Sequence, residues 1–155
     1  MNEAIFTLTD AATVATGLMA GVYFIYAIAI MPGLGRLDDA GFVAAFQATD
    51  RAIINPTFLV AFFAPTALCG ISAFTERGEL GYRWIVAAFV LNAAIVAITM
   101  AINVPLNDAL KARGDVTGPD ATAARKEFRE GRWIAWNWFR TVANVGALVC
   151  LTFVG

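Results

Sequence analysis

From Arg83 to Val104 the chain reads RWIVAAFVLNAAIVAITMAINV, an apolar run whose one charge is its first residue and which Pro105 closes. As a helix rising 1.5 Å per residue it would extend roughly 33 Å, enough to cross the roughly 30 Å hydrocarbon core of a bilayer. Three runs of similar length accompany it. One goes from about Ala11 to Met31 and is ended by Pro32 and Gly33; one from about Pro56 to Thr75 has proline at a helix start, where it is tolerated; the last goes from about Trp133 to Val154. The pattern predicts an all-α transmembrane four-helix bundle, a single integral membrane domain over residues 1–155.

Composition agrees with this reading. The chain has 155 residues, 59% of them hydrophobic and 15% charged, with a mean hydropathy of +0.68, whereas soluble domains carry about 25% charged residues. Four crossings and their connections leave no length for a separate soluble module. Met1 to Asp10 holds Glu3 and Asp10 but no Lys or Arg. It therefore lacks the basic start of a cleaved signal, and the first run is expected to remain as a membrane helix. A net charge of -1 argues against a nucleic-acid partner. Histidine is absent, which removes the usual ligand of haem, non-haem iron, copper and most catalytic zinc, and rules out a Ser/His/Asp nucleophile system. The carboxylates have no metal-binding spacing and no glycine loop is suited to phosphate, so neither metal nor cofactor is expected. Cys69 and Cys150 lie inside apolar runs and read as small hydrophobes.

The connections carry structure of their own. Between the first two runs, Phe42, Ala45, Phe46, Thr49 and Ile53 repeat at helical spacing with Gln47, Asp50 and Arg51 on the other side, which predicts an amphipathic helix lying at the membrane interface. Between the last two, Gly114 to Pro119 is a turn-rich break. Asp120 or Thr122 then caps a helix starting near Ala121, which extends into the fourth run with a bend at Gly131. Arg36, Arg51, Lys111, Arg113, Arg125, Lys126, Arg129 and Arg132 fall in or beside the two long connections, against Arg77 and Arg83 on the opposite side. The positive-inside rule then places the long connections in the cytoplasm and the termini outside, in a multi-pass inner (plasma) membrane protein.

Polar residues interrupt the apolar runs at one end. Asn92, Thr99 and Asn103 share a helix face, with Asn107 just past Pro105; Trp133, Asn137, Arg140 and Asn144 are spaced by four, three and four. Such groups inside a membrane are expensive and mark candidate sites. Interhelical glue for the asparagines, snorkelling for Arg140 and a membrane-edge belt for the aromatics are the competing readings. Arg140, Asn103 and Asn137 are the catalytic candidates. Tyr23, Asp108 and Glu127 are candidates for taking a proton, Asp50 and Glu130 being the other carboxylates near this edge. Trp136, Asn107, Asn55 and Tyr26 are candidates for substrate contact.

The segment Asn103-Val-Pro-Leu-Asn107, followed about 30 residues later by Trp133-Ile-Ala-Trp-Asn-Trp-Phe-Arg140-Thr141, resembles the anthrone oxygenase family of small four-helix membrane proteins. The resemblance extends to Gly17–Pro32 and Arg51–Phe63. It implies oxidation of an anthrone to an anthraquinone by molecular oxygen, as relatives in fungal polyketide pathways do, with the motif residues at Asn103, Pro105, Asn107, Trp136, Asn137 and Arg140. Where some relatives have histidine in the loop or at the start of the last helix, this sequence has none and carries Asn137 and Trp138 in that region.

Physical chemistry supports such a reaction without a cofactor. An anthrone is flat and lipophilic, and loss of a proton from its central CH₂ gives an electron-rich enolate able to react with oxygen. Arg140 with Asn103 or Asn137 would stabilise the developing oxyanion, and Trp136 would stack on the rings. The expected partners are a lipophilic small-molecule substrate, molecular oxygen and the lipid bilayer, with a homo-oligomer left open. Two other classes compete: a non-catalytic four-helix membrane protein, such as a binder, transporter component or partner subunit, and a quinone- or lipid-binding redox protein.

Overall fold

The computed structural model describes residues 7–154, and among these the regular structure is entirely helical. Met1 to Phe6, on which the expectation of an uncleaved first run partly rests, lie outside the described residues. The helices are α1 (Leu8–Leu34), α2 (Asp39–Ile53), α3 (Pro56–Thr75), α4 (Tyr82–Ala112), α5 (Gly118–Phe128) and α6 (Glu130–Leu151). Four of them close a ring: α1 packs on α3 and α6, and α4 packs on the same two. At one end α2, α5 and the last turns of α4 form a cap around Phe42, Phe46, Leu110, Phe128 and Trp133.

Among the described residues α1, α3 and α4 are long and apolar enough to cross a membrane. The fourth ring helix, α6, has the length, but Asn137, Arg140 and Asn144 keep its hydropathy below theirs. Those three are 1 to 5% exposed, while Phe139, Val142 and Val145 on its outer side are open. This helix is polar inward and apolar outward, the arrangement expected when the surroundings are lipid.

Two prolines expected to end helices do not. α1 continues through Pro32 and α4 through Pro105, and in each the five residues ending two positions before the proline form a π-helical turn, Tyr26–Ile30 and Thr99–Asn103. A proline lacks an N–H, and its ring collides with the carbonyl four residues back. The wider turn moves that carbonyl aside, so the helix survives. π turns of this kind often occur at functional sites, and both here border the cavity described below.

The cap also departs from expectation. α5 starts at Gly118 behind an extended Thr117, not near Ala121, and the Thr122 hydroxyl donates to Asp39 Oδ2 at 2.6 Å instead of capping its own helix. The junction with α6 breaks at Arg129, whose φ of 54° is left-handed, rather than bending at Gly131. Helix α2 exists, but Gln47 and Asp50 are buried rather than facing water. The extension of α4 past Pro105 covers them: Gln47 Nε2 donates to the carbonyls of Leu110 and Gly114 at 2.9 and 3.0 Å. Arg125 closes the cap by donating to the Gly35 and Leu37 carbonyls, Asp39 and Glu130. Cys69 and Cys150 are free thiols.

Candidate functional site

Under the cap, where α2 lies across the end of the ring, is a cavity of about 300 Å³. That is at the small end of the ligand-site range of roughly 300–1,000 Å³. Its wall is mostly apolar, and its polar members, drawn from four helices, include Tyr23 on α1, Asp50 on α2, Asn103 and Asn107 on α4, and Asn137 and Arg140 on α6. Ile54, Leu59, Phe63 and Met100 line it and are also 41 to 56% exposed, so it opens sideways between the start of α3 and the middle of α4. A sideways, apolar mouth suits a ligand arriving from lipid.

Arg140 is the centre of the site. It is 5% exposed, and no described carboxylate lies within 4.0 Å of it. Its partners are neutral. Nη1 donates to Thr99 Oγ1 at 3.1 Å and Nη2 to Asn137 Oδ1 at 3.0 Å, while the guanidinium carbon sits 5.0 Å from the Tyr23 ring centroid and 5.4 Å from that of Trp133. Hydrogen bonds to a charge contribute about 1.5–3 kcal/mol each and desolvated cation–π contacts about 2. These hold the cation in place but leave its charge without a counter-ion among the described residues, where Nε has no partner either. A buried cation left in that state is costly, so the site favours a ligand that brings negative charge.

The surrounding side chains are tied down. Thr99 donates to the Ile95 carbonyl at 2.8 Å, which turns its lone pairs toward Arg140. Asn137 Nδ2 donates to the Tyr23 carbonyl at 3.1 Å, fixing which end of the amide faces the guanidinium. Asn103 makes one long bond, Nδ2 to the Trp133 carbonyl at 3.5 Å, and its Oδ1 has no partner among the described residues. Trp133 donates through Nε1 to Asn107 Oδ1 at 2.8 Å, and its ring is wedged between Tyr26 and Phe46. Asn107 Nδ2 in turn donates to Asp50 Oδ1 at 2.7 Å, and Asp50 Oδ2 meets Lys111 Nζ at 2.8 Å.

Of the residues singled out in the sequence, Arg140, Asn103, Asn137, Tyr23, Tyr26 and Asn107 lie on the cavity wall. Four others do not. Asp108 is exposed and pairs with Lys111, while Glu127 pairs with Arg113 on the surface, where the hydrogen bond and charge hold that guanidinium above its ordinary pKa. Asn55 caps α3 by accepting from the Phe58 N–H at 3.0 Å. Trp136 is half-buried with its ring against Phe139, off the wall.

In place of Trp136 the wall has Trp133, and its one carboxylate among the described residues is Asp50. The signal for Trp133 was available: it is the first member of the stripe that continues through Asn137, Arg140 and Asn144, whereas Trp136 falls about 70° from the centre of that face. Asp50 gave no comparable signal, because its burial depends on α4 continuing past Pro105.

The anthrone oxygenase family model matches residues 42–150, well over half of the chain. No curated protein and no solved structure matches. The matched region takes in α3, α4 and α5 whole and most of α2 and α6, and so every polar wall residue except those on α1.

Proposed function

This chain belongs to the anthrone oxygenase family, and from that membership and the site's chemistry we propose that it is a membrane-embedded oxygenase of lipophilic, enolisable aromatic ketones of the anthrone type. The observation that carries the reading is the buried Arg140 guanidinium, unpaired by any described carboxylate and facing an apolar cavity. A flat ketone enters sideways from lipid between Leu59, Phe63 and Met100 and places its carbonyl oxygen at Arg140, with Asn103 and Trp133 beside it. Loss of a CH₂ proton moves the C–H electron pair into the ring system and puts negative charge on that oxygen. Arg140 gains its counter-ion at that moment, which is the condition for stabilising the transition state more than the ketone. The enolate reduces molecular oxygen, forming a C–O bond to a peroxide. Protonation gives the hydroperoxide, and loss of the remaining C–H proton with O–O cleavage releases water and leaves the quinone carbonyl. The sum is CH₂ plus O₂ giving C=O plus H₂O.

In this reading the cap end faces the cytoplasm and both termini lie outside, which the positive-inside rule supports from the arginines and lysines of the two long connections. The test is oxygen uptake by purified protein with anthrone, comparing wild type with Arg140→Ala and Asn103→Ala at matched folding. Stoichiometric uptake that both changes depress supports the reading. Uptake unaffected by either change, or no uptake by the wild type, rejects it in favour of a non-catalytic membrane protein.

A further inference from the structure

Arg140 accounts for where an enolate's charge rests but not for what removes the proton. We propose that Asp50 is the base that takes the ligand's C–H proton, with Lys111 and Asn107 as positioning residues; this rests on the enolising reading of the Arg140 site.

Three observations converge on Asp50. It is the one carboxylate on the cavity wall among the described residues, the exposed Asp108 and Glu127 lying off it. It is held in place: Asn107 Nδ2 donates to Oδ1 at 2.7 Å, Lys111 Nζ meets Oδ2 at 2.8 Å, and Asn107 is itself anchored through Oδ1 to the indole N–H of Trp133. Aim and rigidity are what a general base needs beyond its chemistry. It also has a way out. Lys111, 23% exposed, reaches on to Asp108, 60% exposed, at 2.9 Å, so a line of contacting side chains leads from the cavity to water.

A merely structural role accounts for the ion pair less well. A half-buried ion pair is weak support for stability, and Gln47 already stitches α2 to the end of α4 through two carbonyls. An aspartate can perform this step: in ketosteroid isomerase one enolises a ketone because an oxyanion hole stabilises the product. Here Asp50 bonds the proton, the C–H pair enters the ring system, and the charge settles on the oxygen at Arg140. The phenols of Tyr23 and Tyr26 would first have to lose protons of their own.

The test separates proton removal from oxidation. Anthrone is incubated anaerobically in D₂O with detergent-solubilised protein, and deuterium entering its CH₂ is followed by mass spectrometry above the rate without protein. The wild type is expected to accelerate exchange. Asp50→Asn should lower that acceleration about 100-fold or more while still binding a hydroxyanthraquinone probe, and Asp50→Glu should recover part of it. Lys111→Met should slow exchange without weakening probe binding, and Lys111→Arg should restore it, a pattern that a purely structural lysine does not give. Should Asp50→Asn fold poorly, the double variant with Lys111→Met removes the charge imbalance, and exchange should stay lost in it. Exchange at the wild-type rate in whichever of these two variants folds overturns the assignment of Asp50 alone. A wild type no faster than buffer overturns the enolising site itself, and Asp50 with it.

Discussion

Two polar layers cross the interior of this bundle, built largely from the same residue type and closed in different ways. In the middle layer Asn144 Nδ2 donates to Asn92 Oδ1 at 3.1 Å, and Asn92 Nδ2 reaches Cys69 Sγ at 3.7 Å. All three side chains are buried, and none lines the cavity. Roughly 16 Å along α4, the layer under the cap sets Asn103, Asn137 and Arg140 around a hollow, with Asn103 Oδ1 and Arg140 Nε left without partners among the described residues. An unpartnered atom is not enough to mark a site, since Asn144 Oδ1 is also unpartnered. What separates the layers is a space for a ligand together with a charge that the protein does not neutralise. An asparagine deep in a membrane helix is glue where it faces other side chains and part of a site where it faces a hollow.

The largest test of that difference is a pair of substitutions on one helix. Arg140→Met should depress oxygen uptake about 10²–10³-fold, the usual effect of losing an oxyanion donor, while shifting the thermal midpoint little, because an uncompensated buried cation is removed along with its bonds. Asn144→Leu should do the reverse. Turnover stays within about twofold, and stability falls by about 0.6 kcal/mol, the average for a membrane interhelical hydrogen bond. If both changes acted mainly on stability, the two layers would be the same thing.

A smaller effect separates the tryptophans. Trp133→Ala should raise KM about tenfold, in keeping with an aromatic contact of about 0.5–1.5 kcal/mol plus lost wall area, and Trp136→Ala should leave KM unchanged. The reverse order in steady-state kinetics would relocate the stacking surface. Smallest is the rim: Met100→Trp should lower kcat/KM a few-fold by narrowing the sideways mouth and leave kcat alone, because the change touches access and not chemistry.

Much of this contrast was readable from the sequence. Apolar length located the ring helices, Pro56 to Thr75 with its proline start coinciding with α3, and the spacing of Asn103, Asn137 and Arg140 brought them to one end. What stayed hidden has identifiable causes. The π turns before Pro32 and Pro105 change the helix register without any residue type that announces it, so both prolines read as stops. That error concealed Asp50, because only the added turns of α4 bring Asn107 and Lys111 over α2. Asp108 was singled out for its sequence neighbour, yet adjacent residues on a helix point about 100° apart, and it faces water while Asn107 faces the cavity.

In the proposed reaction Arg140 waits for a negative charge that only the ligand supplies. The most direct measurement is a titration of the solubilised protein with a hydroxyanthraquinone below and above the pH at which its phenol ionises, using wild type and Arg140→Met. The wild type should bind the phenolate at least about tenfold more tightly than the neutral form, as for a charge-assisted bond, and the preference should vanish in Arg140→Met. Equal affinity of the wild-type protein for the two forms would contradict it.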